Sequence, residues 1–166
     1  MATCDFPQIV AQHYEELYRF AFGLTRTEAD AKDLTQQTFH IWAMKGNPLR
    51  DGSKVKTWLF ATLRREFLGL QRNYSHFEYS ELSDEDQDVA DVSTELVNSL
   101  DAARLIELLQ QVKEPYRSAV ILFYMEDFSY KEMAGILEVP MTTVQSGISR
   151  GLGQLQRLIL SNGGMG

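Results

Sequence analysis

The sequence predicts an all-α protein made of two small helical domains. Apolar residues recur at spacings of three and four, the period of one helix face, through most of the chain. Strand-like alternation of apolar and polar residues appears nowhere convincingly. Residues 76–95 hold eight acidic residues and no basic one, with few large apolar side chains. Such a stretch buries too little surface to offset the entropy of ordering. It reads as a flexible acidic linker that divides the chain into domains 1–75 and 96–166.

The first domain reads as three helices. Val10, Tyr14, Leu17, Ala21 and Leu24 form one apolar stripe. The segment from Thr25 to Glu28 breaks it, and Thr27 suits an N-cap, with Glu28 and Asp30 in the next turn where the helix dipole favours acids. The second helix runs to about Lys45, with Gly46 as its stop, and turns Ala31, Leu34, Thr38, Ile41 and Trp42 inward. A polar loop, Gly46 to Ser53, follows. The third helix directs Val55, Trp58, Leu59, Thr62, Leu63 and Phe67 inward and shows Lys54, Lys56, Arg64, Arg65 and Arg72 on its other face.

The second domain reads as four helices. Leu96, Leu100, Ala103, Ile106 and Leu109 make the first stripe. Pro115 is placed to open the next helix at its first turn, which carries Val120, Ile121, Phe123 and Tyr124. Ser129 to Glu132 has the form of a capping box, and its helix ends near Leu137. Thr142 to Gln145 is a second match to that form. It opens a last helix with Val144, Ile148, Leu152, Leu155 and Ile159. Gly147, Gly151 and Gly153 are expected to weaken that helix, at about 1 kcal/mol each relative to Ala.

Composition narrows the function. Of 166 residues, 44% are hydrophobic and 23% charged, ordinary globular usage with enough apolar matter for packed cores. No apolar run approaches the ~20 residues of a membrane span. The N-terminus lacks a basic patch followed by an apolar stretch, so a signal peptide and direct membrane insertion are not expected. Cys4 is the only cysteine, and His13, His40 and His76 have no metal-ligand spacing. Neither a phosphate-cradling glycine loop, nor paired catalytic carboxylates, nor a nucleophile with a base is evident. These features predict a cytoplasmic protein that is not an enzyme and has no cofactor or metal. The net charge of −7 masks its distribution. Lys45 to Arg72 carries seven bases against Asp51 and Glu66, a local footprint of the kind nucleic-acid binders show. A solvated helix face is the plainer account of the same charges.

Two short helices joined by the tight turn Glu138-Val-Pro140 are the substance of a helix-turn-helix. Ala134 is the small residue expected where the helices approach, and Val139 and Val144 would fill the space between them. In such motifs the N-terminal end of the second helix enters the DNA major groove. Thr142, Thr143, Gln145, Ser146, Ser149 and Arg150 are expected on that exposed end. Gln and Arg suit bidentate base contacts, and Ser and Thr bind phosphates or bases. A helical hairpin packed on some other surface has the same spacing.

In their order, these segments resemble the extracytoplasmic-function group of the sigma-70 family of sigma factors. The resemblance runs from about Tyr14 to Leu158. Its most specific stretch is Asp30-Ala-Lys-Asp-Leu-Thr-Gln-Gln-Thr-Phe39, similar to the family's D-A-E-D-L-x-Q-E-x-F. Lys56-Thr-Trp-Leu-Phe60 with Arg64-Arg65, Pro115 to Leu122, Phe128 to Ala134 and Val139 to Ser146 follow in family order.

The resemblance implies a promoter-specificity subunit of RNA polymerase. Asp33, Gln36, Gln37 and Phe39 match the motif that docks on the clamp helices of the polymerase's largest subunit. The loop Gly46 to Ser53, with Asn47, is placed like the one that captures a flipped base of the −10 element. Lys54, Lys56, Arg64, Arg65 and Arg72 would neutralise phosphates nearby. The second domain would rest on the flap of the second-largest subunit and read the −35 element of promoter DNA through Thr142, Thr143, Gln145, Ser146, Ser149 and Arg150. The acidic linker would thread the RNA channel or serve as a solvated tether. An anti-sigma factor is the expected regulatory partner.

The chain departs from the family pattern at Gln37, where Glu is usual, and after the Thr-Val pair. There Gln145, Gly147, Leu152 and Gly153 stand where bases are common, leaving Arg150 and Arg157. Each lost phosphate contact lowers salt-dependent affinity. Two other readings follow. One is a sigma mimic that sequesters an anti-sigma factor. The other is a helix-turn-helix regulator that acts without polymerase.

Overall fold

The computed structural model describes residues 6–45, 54–74, 100–125 and 128–163. They form seven helices: α1 (Phe6–Thr25), α2 (Glu28–Met44), α3 (Val55–Tyr74), α4 (Ala102–Leu109), α5 (Tyr116–Met125), α6 (Tyr130–Leu137) and α7 (Met141–Gly163). The first three make one helical unit and the last four another. The acidic stretch 76–95 and the loop Gly46 to Ser53 lie outside the described residues.

Local chemistry sets the helix ends. α1 stops where Arg26 turns left-handed at φ 69° and its N–H donates to the Phe22 carbonyl at 2.7 Å. The Thr27 hydroxyl then accepts from the Asp30 N–H at 3.3 Å, the N-cap expected of it. The two-residue connection folds α1 and α2 into neighbours. In α2 the buried hydroxyls of Thr35 and Thr38 donate to the carbonyls of Ala31 and Leu34 at 2.7 and 2.8 Å. Back-bonding of this kind lets a polar side chain sit on a buried face. The Ser129–Glu132 capping box is complete, with reciprocal bonds of 3.1 and 3.0 Å.

Several expected details differ. α4 is capped by Asp101, whose carboxylate accepts from the Arg104 N–H at 2.8 Å. Leu96 lies outside the described residues, and Ala103 is exposed. Thr142 does not cap α7. That helix begins at Met141, and the Pro140 carbonyl already accepts from the N–H groups of Thr143 and Val144 at 2.9 and 3.2 Å. Thr142 therefore lies within the first turn, where a side chain is not placed to cap its own helix.

The glycines of α7 do more than soften it. A Cβ at Gly151 would press on Val120 and come within 2.9 Å of the Tyr116 carbonyl oxygen. Glycine is what lets α7 cross α5 this closely. Gly23 does the same between α1 and α5, since a Cβ there would lie 2.9 Å from Ile121 Cδ1.

The two units pack against each other: one apolar cluster runs through both. At its centre lies α3, where Leu59, Phe60, Ala61, Thr62, Leu63 and Arg64 are six consecutive buried residues. A helix buried on every side is enclosed, not merely docked by one stripe. One side of α3 meets α1 and α2, with Trp42 and Trp58 edge to face at 5.1 Å. The other meets the second unit, with Phe60 edge to face on Phe128 at 4.9 Å. Replacing Gly151 with Ala is expected to destabilise the fold by about 1–3 kcal/mol, the usual cost of overpacking. Ser129→Ala is expected to cost about 1 kcal/mol through the lost cap. Urea unfolding of both variants beside the unchanged chain measures the two losses.

Candidate nucleic-acid interface

α6, the turn and α7 form the helix-turn-helix. The turn is held by Glu138 in the left-handed conformation, φ 60°, and by the Val139 N–H donating to the Ala134 carbonyl at 3.1 Å. Val144 is fully buried and Val139 packs against the core, so both fill the crook of the motif. The face of α7 opposite Val144, Ile148 and Leu152 is left open. Thr142, Gln145 and Ser149 are exposed on it, while Thr143, Ser146 and Arg150 are half-buried. The Ser146 hydroxyl donates to the Thr143 carbonyl at 3.1 Å, and an Arg150 amino group donates to the Tyr116 hydroxyl at 3.4 Å. All six residues predicted for this end thus share one accessible surface of polar side chains. Met141 beside them is also exposed.

The cations of α3 are arranged differently from expectation. Lys54 is exposed. Lys56 lies 3.5 Å from a Glu16 carboxylate oxygen and 4.6 Å from the centre of the Phe128 ring, a cation–π approach. Arg65 is exposed and paired with Glu138. Arg64, expected on the open face, is 6% exposed. Its Nε donates to the Ser118 hydroxyl at 3.2 Å, Nη1 to the Leu137 carbonyl at 3.4 Å, and Nη2 to the Glu114 carboxylate at 3.4 Å. α3 packs against helices on both sides, so its second face is interior too. Arg72 falls in the last turn of α3, and Asn47 lies outside the described residues.

On α2, Asp33, Gln36 and Gln37 form an exposed polar strip, and the Gln37 amide donates to Glu66 at 3.5 Å. Phe39 does not join them. It is 5% exposed and stacks on Tyr14 at 6.2 Å between ring centres. Its register with Leu34, Thr35, Thr38 and Trp42 makes it a core residue that braces the strip from behind.

Sequence reasoning missed a second polar cluster between the units. Arg117 donates to three carbonyls, those of Val112, Leu24 and Gln110, at 3.1, 3.2 and 3.1 Å. Burial lowers its pKa from the ordinary arginine value, and the charge of Glu114 opposes that shift. The Gln110 amide reaches the Gly23 carbonyl at 2.7 Å. The signal was present: Arg117 is the one charged residue in the largely apolar segment Tyr116–Met125, and a buried charge requires partners. Among the described residues, no group of three or more His, Cys, Asp or Glu is placed to hold a metal ion, and no helix is long and apolar enough to cross a membrane.

Residues 9–76 match sigma-70 region 2 and residues 102–155 match sigma-70 region 4. The fold is similar to the sigma factor RpoE from Bartonella quintana, solved in complex with the anti-sigma factor NepR. The TM-score is 0.73 and the identity 30%, over 95% of this chain and 98% of that one. The chain belongs to the sigma-70 family, in its extracytoplasmic-function group. This sigma factor is also 31% identical, over 160 residues, to the extracytoplasmic-function sigma factor SigE of Mycolicibacterium smegmatis, of whose length it spans 62%. It shares its fold, at 12% identity and a TM-score of 0.64, with the anti-anti-sigma factor PhyR of Bartonella quintana, covering 51% of that chain.

The two arginines of α3 differ in what they support. Glu114→Ala leaves the buried Arg64 guanidinium without its carboxylate and is expected to cost about 3–5 kcal/mol. Arg65→Ala breaks a solvent-exposed pair and is expected to cost less than about 1 kcal/mol. Urea titrations, which leave the ion pairs unscreened, followed by tryptophan fluorescence distinguish them, since Trp58 on α3 packs edge to face on the buried Trp42.

Proposed function

We propose that this sigma factor gives core RNA polymerase its promoter specificity and performs no chemistry of its own. The observation that carries this reading is the open polar face of α7 at the end of a helix-turn-helix, in a chain whose two halves match sigma regions 2 and 4. Residues 1–75 serve as the polymerase-docking and −10 domain, residues 76–95 as the linker, and residues 96–166 as the −35 domain. On α2, Asp33, Gln36 and Gln37 offer carboxylate and amide groups to the clamp helices of the largest subunit, with Phe39 as their support. The second domain rests on the flap of the second-largest subunit. Asn47 and the loop around it take up an unstacked −10 base, and Lys54, Lys56, Arg65 and Arg72, joined by Arg64 once the second domain releases it, neutralise phosphates. Thr142, Thr143, Gln145, Ser146, Ser149 and Arg150 face the −35 element. Gln145 offers a bidentate donor–acceptor pair suited to adenine, and the hydroxyls suit phosphate oxygens.

An anti-sigma factor is the regulatory partner we assign, supported by the likeness to an RpoE that was solved with one. The base-poor last helix favours a second reading, a mimic that binds the anti-sigma factor alone. The likeness to the anti-anti-sigma factor PhyR, at 12% identity, extends to fold only, whereas the sigma factors RpoE and SigE are 30% and 31% identical. That contrast favours the promoter subunit.

Reconstitution tests the choice. Core polymerase with this chain is expected to start transcripts from genomic fragments that core polymerase alone ignores. Gln145→Ala is expected to lower initiation about tenfold, the worth of one base contact. An absence of transcripts from any fragment, with capture of an anti-sigma factor but not of polymerase, would establish the mimic.

A further inference from the structure

We infer that the contact between the two units is an arginine-exchange latch: the second domain supplies carboxylates that occupy the guanidinium groups of α3 and withhold them from DNA. The inference rests on the promoter reading for the DNA-facing role of Arg64 and Arg65. Three observations support it. The three acceptors of the Arg64 guanidinium, Ser118, Leu137 and Glu114, all belong to the second domain. They form a preassembled receptor, because the Ser118 hydroxyl lies 2.8 Å from both oxygens of Glu114. Arg65 is held by Glu138, the left-handed residue in the turn of the helix-turn-helix. The third cation, Lys56, sits against Phe128 of the same domain.

A carboxylate and a phosphate present similar pairs of oxygens to a guanidinium. Opening the two units on DNA therefore exchanges like for like, and Arg64 is never left buried without a counter-charge. An apolar plug at the same place would offer a phosphate nothing to replace. A buried ion pair adds little net stability over an apolar contact, which suits a contact that has to open. Closure and DNA engagement then compete for the same two side chains.

Thr57 on α3 and Gly135 on α6 allow the closed state to be locked. A Cβ at Gly135 would lie 3.4 Å from Thr57 Cγ2, so a cysteine sulfur at position 57 comes within reach of one at position 135. The test is the full chain carrying Thr57→Cys and Gly135→Cys with Cys4→Ser, oxidised and reduced. Two readouts are taken at low salt: transcription with core polymerase, and fluorescence anisotropy of the free chain on a labelled promoter duplex with an opened −10 bubble. The oxidised form is expected to lose about tenfold in each, and reduction is expected to restore both. Glu114→Gln with Glu138→Gln is expected to raise binding of the bubble duplex by the free chain several-fold.

Equal binding by oxidised and reduced forms would overturn the latch, even if transcription fell, since a locked chain that merely fits polymerase badly needs no masked cation. Failure of the disulfide to form under mild oxidation would overturn it as well, because the closed state would then be unpopulated. If the reduced form and the unmodified chain both fail to transcribe, the promoter reading falls, and the anisotropy alone decides whether the latch stands.

Discussion

The burial of Arg64 is the constraint around which this structure is arranged. A guanidinium carries five donors and keeps its charge at any ordinary pH, so it enters an interior only where acceptors are already in place. Here they come from three places in the second domain: the residue before Pro115, the first turns of α5 and the C-terminal carbonyls of α6. Those three sites must converge on one point of α3. Their convergence sets where α5 and α6 lie against the first domain. The Phe60–Phe128 contact and the close passage of Gly23 over Ile121 form the apolar part of the same junction.

The helix-turn-helix depends on the same geometry from its other side. α6 is short, capped at its start by Ser129 and Glu132 and closed at its end by the left-handed Glu138. It leans on α3, where a Cβ at Gly135 would come within ordinary contact distance of Thr57. α7 can then run past α5 closely, because Gly151 offers no side chain where the helices meet. What remains unpacked is the polar end of α7. Its exposure follows from Val144, Ile148, Leu152 and Leu155 turning the other side of α7 into the core.

Function in this family rests on surfaces rather than on a catalytic pocket, and the surfaces here have unequal standing. The α7 face and the α2 strip are open as they stand. The α3 cations are partly committed to carboxylates of the same chain, so the negative charges outside the acidic stretch 76–95 have work of their own. Glu114 and Glu138 account for two of them, each matched to an arginine across the junction.

Much of this was legible in the sequence. The helix count of each half, the Thr27 cap, the Ser129 capping box and the exposed set on α7 all follow from periodicity and end signals, which are local properties of a helix. So does the inward stripe from Val55 to Phe67. What local pattern cannot carry is the number of faces a helix buries. A stripe of apolar residues shows one buried face, and Arg64 beside the exposed Arg65 reads as part of an opposite, open face because charge ordinarily marks solvent. Only tertiary packing decided that a second layer covers α3, that Phe39 supports the exposed polar strip of α2 from inside, and that Gly151 is a crossing point instead of a weakness. Each depends on a partner distant in sequence: the acceptors of Arg64 lie 50, 54 and 73 residues away. Helical periodicity reports only on neighbours a few residues apart, so it identifies the helices and leaves their mutual arrangement to the contacts between them.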